Sequence, residues 1–206
     1  MSSIIRPSGT DAPTRVDTGR RSLLRASGTT FLSATAVALL AGCERMASPA
    51  QAQGGTSAGD VQILNVALGL EHEAISAYSI AAGSGLVSKA VLPVAVQFQS
   101  HHKEHRDALV ATIRKLGGTP VAAKPDAEVA KALNAASLKN QTDVLRLAQR
   151  LEKGAANAYL GVIPAFSDKG LAQISGRLAA DETAHWAVLS QALGDPLPPK
   201  ALSFGG

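Results

Sequence analysis

Apolar residues recur at three- and four-residue intervals from about residue 60 to residue 194, the period of helices with one buried face. Asp60 is placed to cap a first helix that runs to about Ala82, where Gly83-Ser84-Gly85 breaks it. A second helix is expected from about Val87 to Leu116, with Pro93 in its first turns or at a kink, and Gly117-Gly118-Thr119-Pro120 stops it. Residues 121–140 form a longer connection with room for a short helix from Asp126. A third helix covers about Gln141 to Phe166 and a fourth about Leu171 to Leu193, separated by Ser167-Asp168-Lys169-Gly170. Gly194-Asp195-Pro196 and the prolines beyond it end the last helix. Two long pairs with short turns and one long connection predict an all-α chain: an antiparallel four-helix bundle with one crossover.

An internal repeat ties the helices together. "ALGLEHEAISAY" (67–78) and "AQRLEKGAANAY" (148–159) match at an offset of 81. The identities are Ala67/Ala148, Leu70/Leu151, Glu71/Glu152, Ala74/Ala155, Ala77/Ala158 and Tyr78/Tyr159, and their spacing confines them to one helical face. The first and third helices thus read as copies. The second and fourth repeat more faintly: aligning 100–109 with 180–189 matches His105 to His185 and Leu109 to Leu189, and sets His102 opposite Glu182. On this reading the bundle is two duplicated helical hairpins.

The repeat also locates candidate chemistry. Phe98, His102, His105, Leu109, Thr112 and Leu116 form one stripe on the second helix. Leu171, Ile174, Leu178, Glu182, His185, Leu189 and Ala192 form one on the fourth. Glu71, Glu152 and Glu182 therefore face the core beside His102, His105 and His185. A lone carboxylate taken out of water costs several kcal/mol or more. A divalent cation would compensate, because carboxylate oxygen and imidazole nitrogen are natural ligands of iron, manganese, zinc and copper. The bland alternative is a buried hydrogen-bonded or ion-paired cluster, or a partly wet seam.

At Glu71, Glu152 and the Glu182/His185 pair the chain resembles the ferritin-like superfamily of carboxylate-bridged di-iron proteins, over about residues 60–194. The resemblance implies Glu71 and Glu152 as single carboxylate ligands, Glu182 as a bridging carboxylate, and His105 and His185 as terminal imidazoles. It implies one or two metal ions, iron first, with manganese, zinc or copper as alternatives. The chemistry implied is that of a ferroxidase or of an oxygen- or peroxide-reducing protein. His102 departs from the pattern, since the family has its second bridging Glu there, and a neutral imidazole cannot span two metals without losing a proton. Three carboxylates would leave two divalent ions about one positive charge in excess. A shifted register, His101 with Glu104, restores a carboxylate but turns the pair off the seam. The competing function is a non-catalytic helical envelope or binding module with a degenerate site.

Around these six residues, Tyr78 and Tyr159 lie two turns after Glu71 and Glu152 on the same face. They are read as core tyrosines with satisfied hydroxyls, or as groups that hydrogen-bond a ligand. His101 and Glu104 flank the inward histidines as outer-shell or solvent-facing groups. Asp181 and Asp107 could orient histidines from outside, though solvated faces are commoner. His72 and Glu73 leave the repeat face and are read as surface, and Trp186 as cover for the outside of its seam.

Composition narrows the function classes. Hydrophobic residues make up 46% of the 206 residues but aromatics only 3%, which favours helices rich in Ala and Leu over strands. Of the formal charge of +4, three units come from residues 1–42, where Arg6, Arg15, Arg20, Arg21 and Arg25 face only Asp11 and Asp17. The remainder is nearly neutral, without basic runs or interleaved aromatics, so a nucleic-acid partner is not expected.

Residues 1–42 read as an export signal: twin arginines at 20–21, the apolar stretch "FLSATAVALLAG" (31–42), and "LAGC" at 40–43, which resembles a lipoprotein box. Leu23 stands where a twin-arginine signal usually has Phe. Cys43 is the only cysteine, so it is the expected lipidation site and no disulfide within the chain is possible. Residues 43–59 then read as a flexible tether, 60–194 as the bundle and 195–206 as a C-terminal tail. The expected setting is the periplasmic or cell-surface face of a bacterial membrane, reached through a lipid anchor. A homodimer is compatible, and a redox partner is implied but not identified.

Overall fold

Helices α1 (Gly55–Gly83) and α2 (Leu92–Lys115) form one hairpin, and α4 (Gln141–Val162) and α5 (Lys169–Leu193) a second. A short helix α3 (Asp126–Ala132) lies in the connection between them. The computed structural model describes residues 55–205, with backbone alone at 55–57, and among the described residues there is no strand. The residues read as an export signal, Cys43 and the first part of the expected tether lie outside the described residues. None of the described helices is long and apolar enough to cross a membrane.

The long connection is fastened stepwise along α1. The Asn65 amide bonds the Thr119 carbonyl (3.1 Å) and the Val121 N–H (2.8 Å), and His72 meets the Val121 carbonyl at 3.2 Å. The Ser76 hydroxyl donates to Asp126 (2.6 Å), and the Ser88 N–H donates to the Gln141 side chain (2.8 Å). These contacts advance along α1 from its N-terminal half to its far end. The crossover therefore spans the bundle and delivers α4 antiparallel to α1, as the Asp60 carboxylate confirms by accepting from the Ser167 N–H at 3.0 Å. Because α5 returns along α4, α2 and α5 are antiparallel neighbours.

Four boundaries differ from expectation. Asp60 is not a cap: α1 begins at Gly55, and the Asp60 carboxylate is buried against the start of the α4–α5 turn. Helix α2 starts at Leu92 rather than about Val87, with Pro93 in its first turn, where a missing N–H costs nothing. Helix α4 ends at Val162, because Pro164 diverts the chain into a 3₁₀ turn, Ile163–Ala165. Helix α5 begins at Lys169, where Asp168 caps it by accepting from the Gly170 N–H (2.6 Å). At the start of α4, Asn140 accepts from the Asp143 N–H (3.0 Å) while Asp143 accepts from the Lys139 N–H (2.9 Å), a reciprocal cap.

Two apolar layers sandwich the polar residues. One comprises Leu64, Ala67, Leu68, Leu109, Ile113, Tyr159, Leu171, Leu178 and Ala179. The other comprises Tyr78, Phe98, Leu145 and Leu189. On α2 the buried stripe continues through Ile113 rather than Thr112, whose hydroxyl bonds its own helix at Ala108. On α5 Ala192 is exposed and Ser175 and Ser190 are buried. The C-terminal tail packs back on the second hairpin: Asp195 bonds Arg146 and Gln149, and Phe204 lies edge-on to Trp186 at 5.1 Å.

The turn after α2 depends on two glycines for different reasons. Gly117 takes a φ of 78°, a left-handed conformation costly for other residues. Gly118 sits so close to α1 that a Cβ there would lie 2.5 Å from Val61 Cγ1 and 3.0 Å from Ile113 Cγ2. Gly118→Ala is therefore expected to destabilise the protein by about 1–3 kcal/mol through overpacking, measured as a lower urea midpoint at unchanged slope.

Candidate metal centre

Glu71 on α1, His102 and His105 on α2, Glu152 on α4, and Glu182 and His185 on α5 converge between the two apolar layers. All six are buried; Glu182 is 0% and His105, the least covered, 8% exposed. The sequence placed them on core-facing stripes, and the antiparallel packing brings those stripes to one point.

The cluster divides into two overlapping donor sets. Glu71, His102, His105 and Glu182 form one, and His102, Glu152, Glu182 and His185 the other, with the donor atoms in each set within 4.8 Å of one another. His102 and Glu182 belong to both. His102 Nδ1 faces Glu71 at 2.8 Å and its Nε2 faces Glu152 at 3.3 Å. His105 Nδ1 lies 3.2 Å from Glu182 and 3.6 Å from Glu71. His185 Nδ1 lies 3.1 Å from Glu182 and 3.4 Å from Glu152.

Around this set the two hairpins exchange partners. The Tyr78 hydroxyl on α1 donates to Glu152 on α4, and the Tyr159 hydroxyl on α4 donates to Glu71 on α1, both through short contacts. His105 Nε2 on α2 meets Asp181 on α5 at 3.2 Å, and His185 Nε2 on α5 meets His101 on α2 at 2.9 Å. Asp181 and His101 occupy matching positions of the repeat. Each half thus supplies the outer partner of the other half's ligand candidate. Phe98 stacks on the His185 ring at 4.1 Å and fixes its plane.

Both tyrosines are buried and satisfied, and what satisfies them is a carboxylate of the cluster. Glu104 is exposed and takes no part, while His101 is half-buried and does. Asp107 pairs with its neighbour Arg106 instead of a histidine. His72 and Glu73, expected at the surface, are half-buried, since the crossover covers that face of α1. The Asp181 contact follows from its repeat position opposite His101. The Phe98 stacking carries no sequence signal beyond its place one turn before His102.

Without a cation the cluster is held together by protons. Burial pulls the His102 imidazole down, but the hydrogen bonds it donates to Glu152 and Glu71 outweigh this and push it up to about 11. His105 is opposed by burial in the same way, and Glu182 and Glu71 push it up to about 10. His185 is also raised, by Glu152 and Glu182 against burial. Burial raises Glu71 and Glu152, yet their histidine partners bring both below the ordinary carboxylate range. Burial leaves Glu182 raised, and it holds Tyr78 and Tyr159, beside their carboxylates, well above the usual phenol value.

The residues fit a metal on two counts. Three carboxylates and three imidazoles are a donor set suited to borderline transition ions. In addition, His105 Nδ1 and Glu182 Oε1 are buried without a hydrogen bond, although they face each other at 3.2 Å. Buried polar atoms are rarely left so, and both lie in one donor set.

The profile of a family described as "ferritin-like domain" matches residues 59–195. No curated protein sequence matches the chain. Among solved structures, the crystal structure of a conserved hypothetical protein from Mycobacterium tuberculosis is similar with a TM-score of 0.57 and 20% identity, covering 66% of this chain and 98% of that one. At that identity the likeness concerns the fold.

The raised histidines predict how the metal-free protein responds to pH. His102 and His105 hold their protons more tightly folded than unfolded, so their contribution is complete below their ordinary 6.5 and fades as pH rises toward 10 and 11. Glu182, also raised, acts in the same direction. The lowered Glu71 and Glu152 contribute fully above 4.5 and lose that contribution as pH falls. Calorimetry of metal-free protein should show the highest Tm between about pH 4.5 and 6.5 and a steady decline to pH 10, and His102→Gln should flatten the decline.

Proposed function

The chain belongs to the ferritin-like domain family, and on that footing we propose that its buried cluster is a transition-metal centre for one or two ions, iron first. The observation that carries the reading is the pair of overlapping donor sets sharing His102 and Glu182, with two unsatisfied atoms between them. Glu71 and His105 would hold one ion, Glu152 and His185 the other, with Glu182 reaching both. A bound transition ion supplies Lewis acidity and, as iron, manganese or copper, one-electron redox chemistry. The reaction class on this reading is redox: iron(II) oxidation, or reduction of dioxygen or peroxide.

The chain's own residues set the conditions for that chemistry. Tyr78 and Tyr159 orient Glu152 and Glu71 by hydrogen bonds to one oxygen of each, and the second oxygen faces His185 in Glu152 and His102 in Glu71. Asp181 holds the His105 Nε2 proton, which points Nδ1 inward and makes it a better donor. His185 is held by another imidazole, His101, in place of a carboxylate. The two apolar layers keep bulk water away. His102 turns one nitrogen toward each set, so spanning both ions would cost it a proton.

The second reading is a metal-free helical module, favoured by the fact that both His102 nitrogens already face carboxylates. Elemental analysis and anaerobic iron(II) titration separate the two. The metal reading expects one tight ion, a second at least about tenfold weaker, and proton release on uptake. His102→Glu should close that gap by restoring a fourth carboxylate. Admitting oxygen to the iron-loaded protein should then give consumption at an oxygen electrode. A chain that purifies without metal and rejects iron, manganese, zinc and copper supports the module.

The leader supports a location. Twin arginines, an apolar stretch and "LAGC" in that order support export of the chain and its lipid anchoring at Cys43, facing the periplasm or cell surface. Cells fed a labelled fatty acid should label the full chain, and Cys43→Ser should abolish the label and release the protein from membranes.

A further inference from the structure

The repeat provides an internal control on packing. On one side of the polar cluster nine buried residues fill the space between the helices. On the other side the contiguous cluster has four, with Val144 buried beside it, and a cavity of about 100 Å³ remains. Matching positions explain the difference. Ala81, Val91 and Val94 line the open side, where the repeat places Val162, Leu171 and Ile174 on the filled side. Protein interiors seldom leave such space unfilled, and this one ends at functional side chains. We propose that it is a binding pocket for a small, uncharged molecule with a linear alkyl chain.

Shape and charge select that class. The cavity is bounded along α1 from Leu70 to Ala81, about 17 Å of helix at 1.5 Å per residue, and reaches Ser84 just beyond its end. A lining that runs along the helix rather than around one point suits an extended chain, whereas a rounder apolar cavity of about 150 Å³ accepts benzene. Its walls are mainly alanine, leucine and valine from α1, α2 and α4, with Leu189 of α5, and Leu133, Ala135 and Leu138 of the crossover border it without sealing it from solvent. The inner end reaches Tyr78, His102 and Glu152. Glu73 and Glu152 line the slot, and the one histidine that lines it, His102, is already paired at both nitrogens with Glu71 and Glu152, so no unpaired cation is there to receive an anionic headgroup. A neutral alcohol, aldehyde or alkane meets every wall. The inference depends on the metal reading only for calling the ligand a substrate; its binding does not.

The probe is 1-hexanol, titrated into the full-length protein with alanine methyls observed by NMR, and hexanoate as the charged comparison. Metal content is measured on every sample. Wild type should give saturable shifts at Ala77 and Ala148 with 1-hexanol and none with hexanoate. Ala81→Leu and Ala148→Leu, which fill the slot without touching the cluster, should each weaken 1-hexanol by about tenfold or more and leave metal content unchanged. The proposal is overturned if 1-hexanol does not saturate, if hexanoate binds equally, or if a folded filled variant binds as wild type does. The wild-type comparison decides by itself should neither variant fold. Hexanol binding in a protein that takes up no metal would keep the pocket and end the metal reading; metal uptake without hexanol binding would do the reverse.

Discussion

Three carboxylates lie where water does not reach, and the fold must compensate them. Each is expensive to bury alone, and among the described residues no lysine or arginine enters the cluster. Compensation comes from three imidazoles and two phenols, drawn from all four long helices. The helices therefore cannot slide or rotate independently. A one-residue shift of α2 would carry His102 and His105 away from Glu71 and Glu182 and leave charges unpaired in an apolar layer. Hydrophobic burial brings the helices together, and the polar cluster fixes their register.

Much of this was legible in the chain because two periodicities coincided. The 3.6-residue pattern gave the helices, and the 81-residue repeat picked out the face of α1 and α4 that turns inward. Glu71, Glu152, Glu182, His102, His105 and His185 were placed on core stripes, and the structure brings all six together. What escaped depends on elements far apart in sequence. Asp60 looks like a cap by local rules, yet its partner is Ser167 across the bundle. His72 and Glu73 looked solvated because the crossover that covers them has no pattern announcing its path. The donors to Glu71 and Glu152 were visible as tyrosines, but their exchange between hairpins was not, since a helical wheel shows a face and not its neighbour.

Among the residues of the cluster and their outer partners, the duplication is imperfect at two matched pairs. His102 faces Glu182, and His101 faces Asp181. The first difference removes a carboxylate that could reach both donor sets. The second gives His105 a carboxylate as outer partner and His185 an imidazole. Two halves with the same backbone thus offer unequal environments. Inequality of this kind favours sequential occupation over paired occupation, and it coincides with an unequal filling of the flanking apolar layers.

The exchange of tyrosines also constrains how such a chain could have arisen. One hairpin alone holds a glutamate whose hydroxyl donor lies in the other hairpin, so half of this molecule is electrostatically incomplete. If the repeat descends from a single ancestral hairpin, that ancestor had no stable solitary form; two copies had to meet face to face before either could fold. Fusion through the crossover would then have converted a concentration-dependent encounter into a permanent one, after which each copy was free to drift at positions such as 101 and 102.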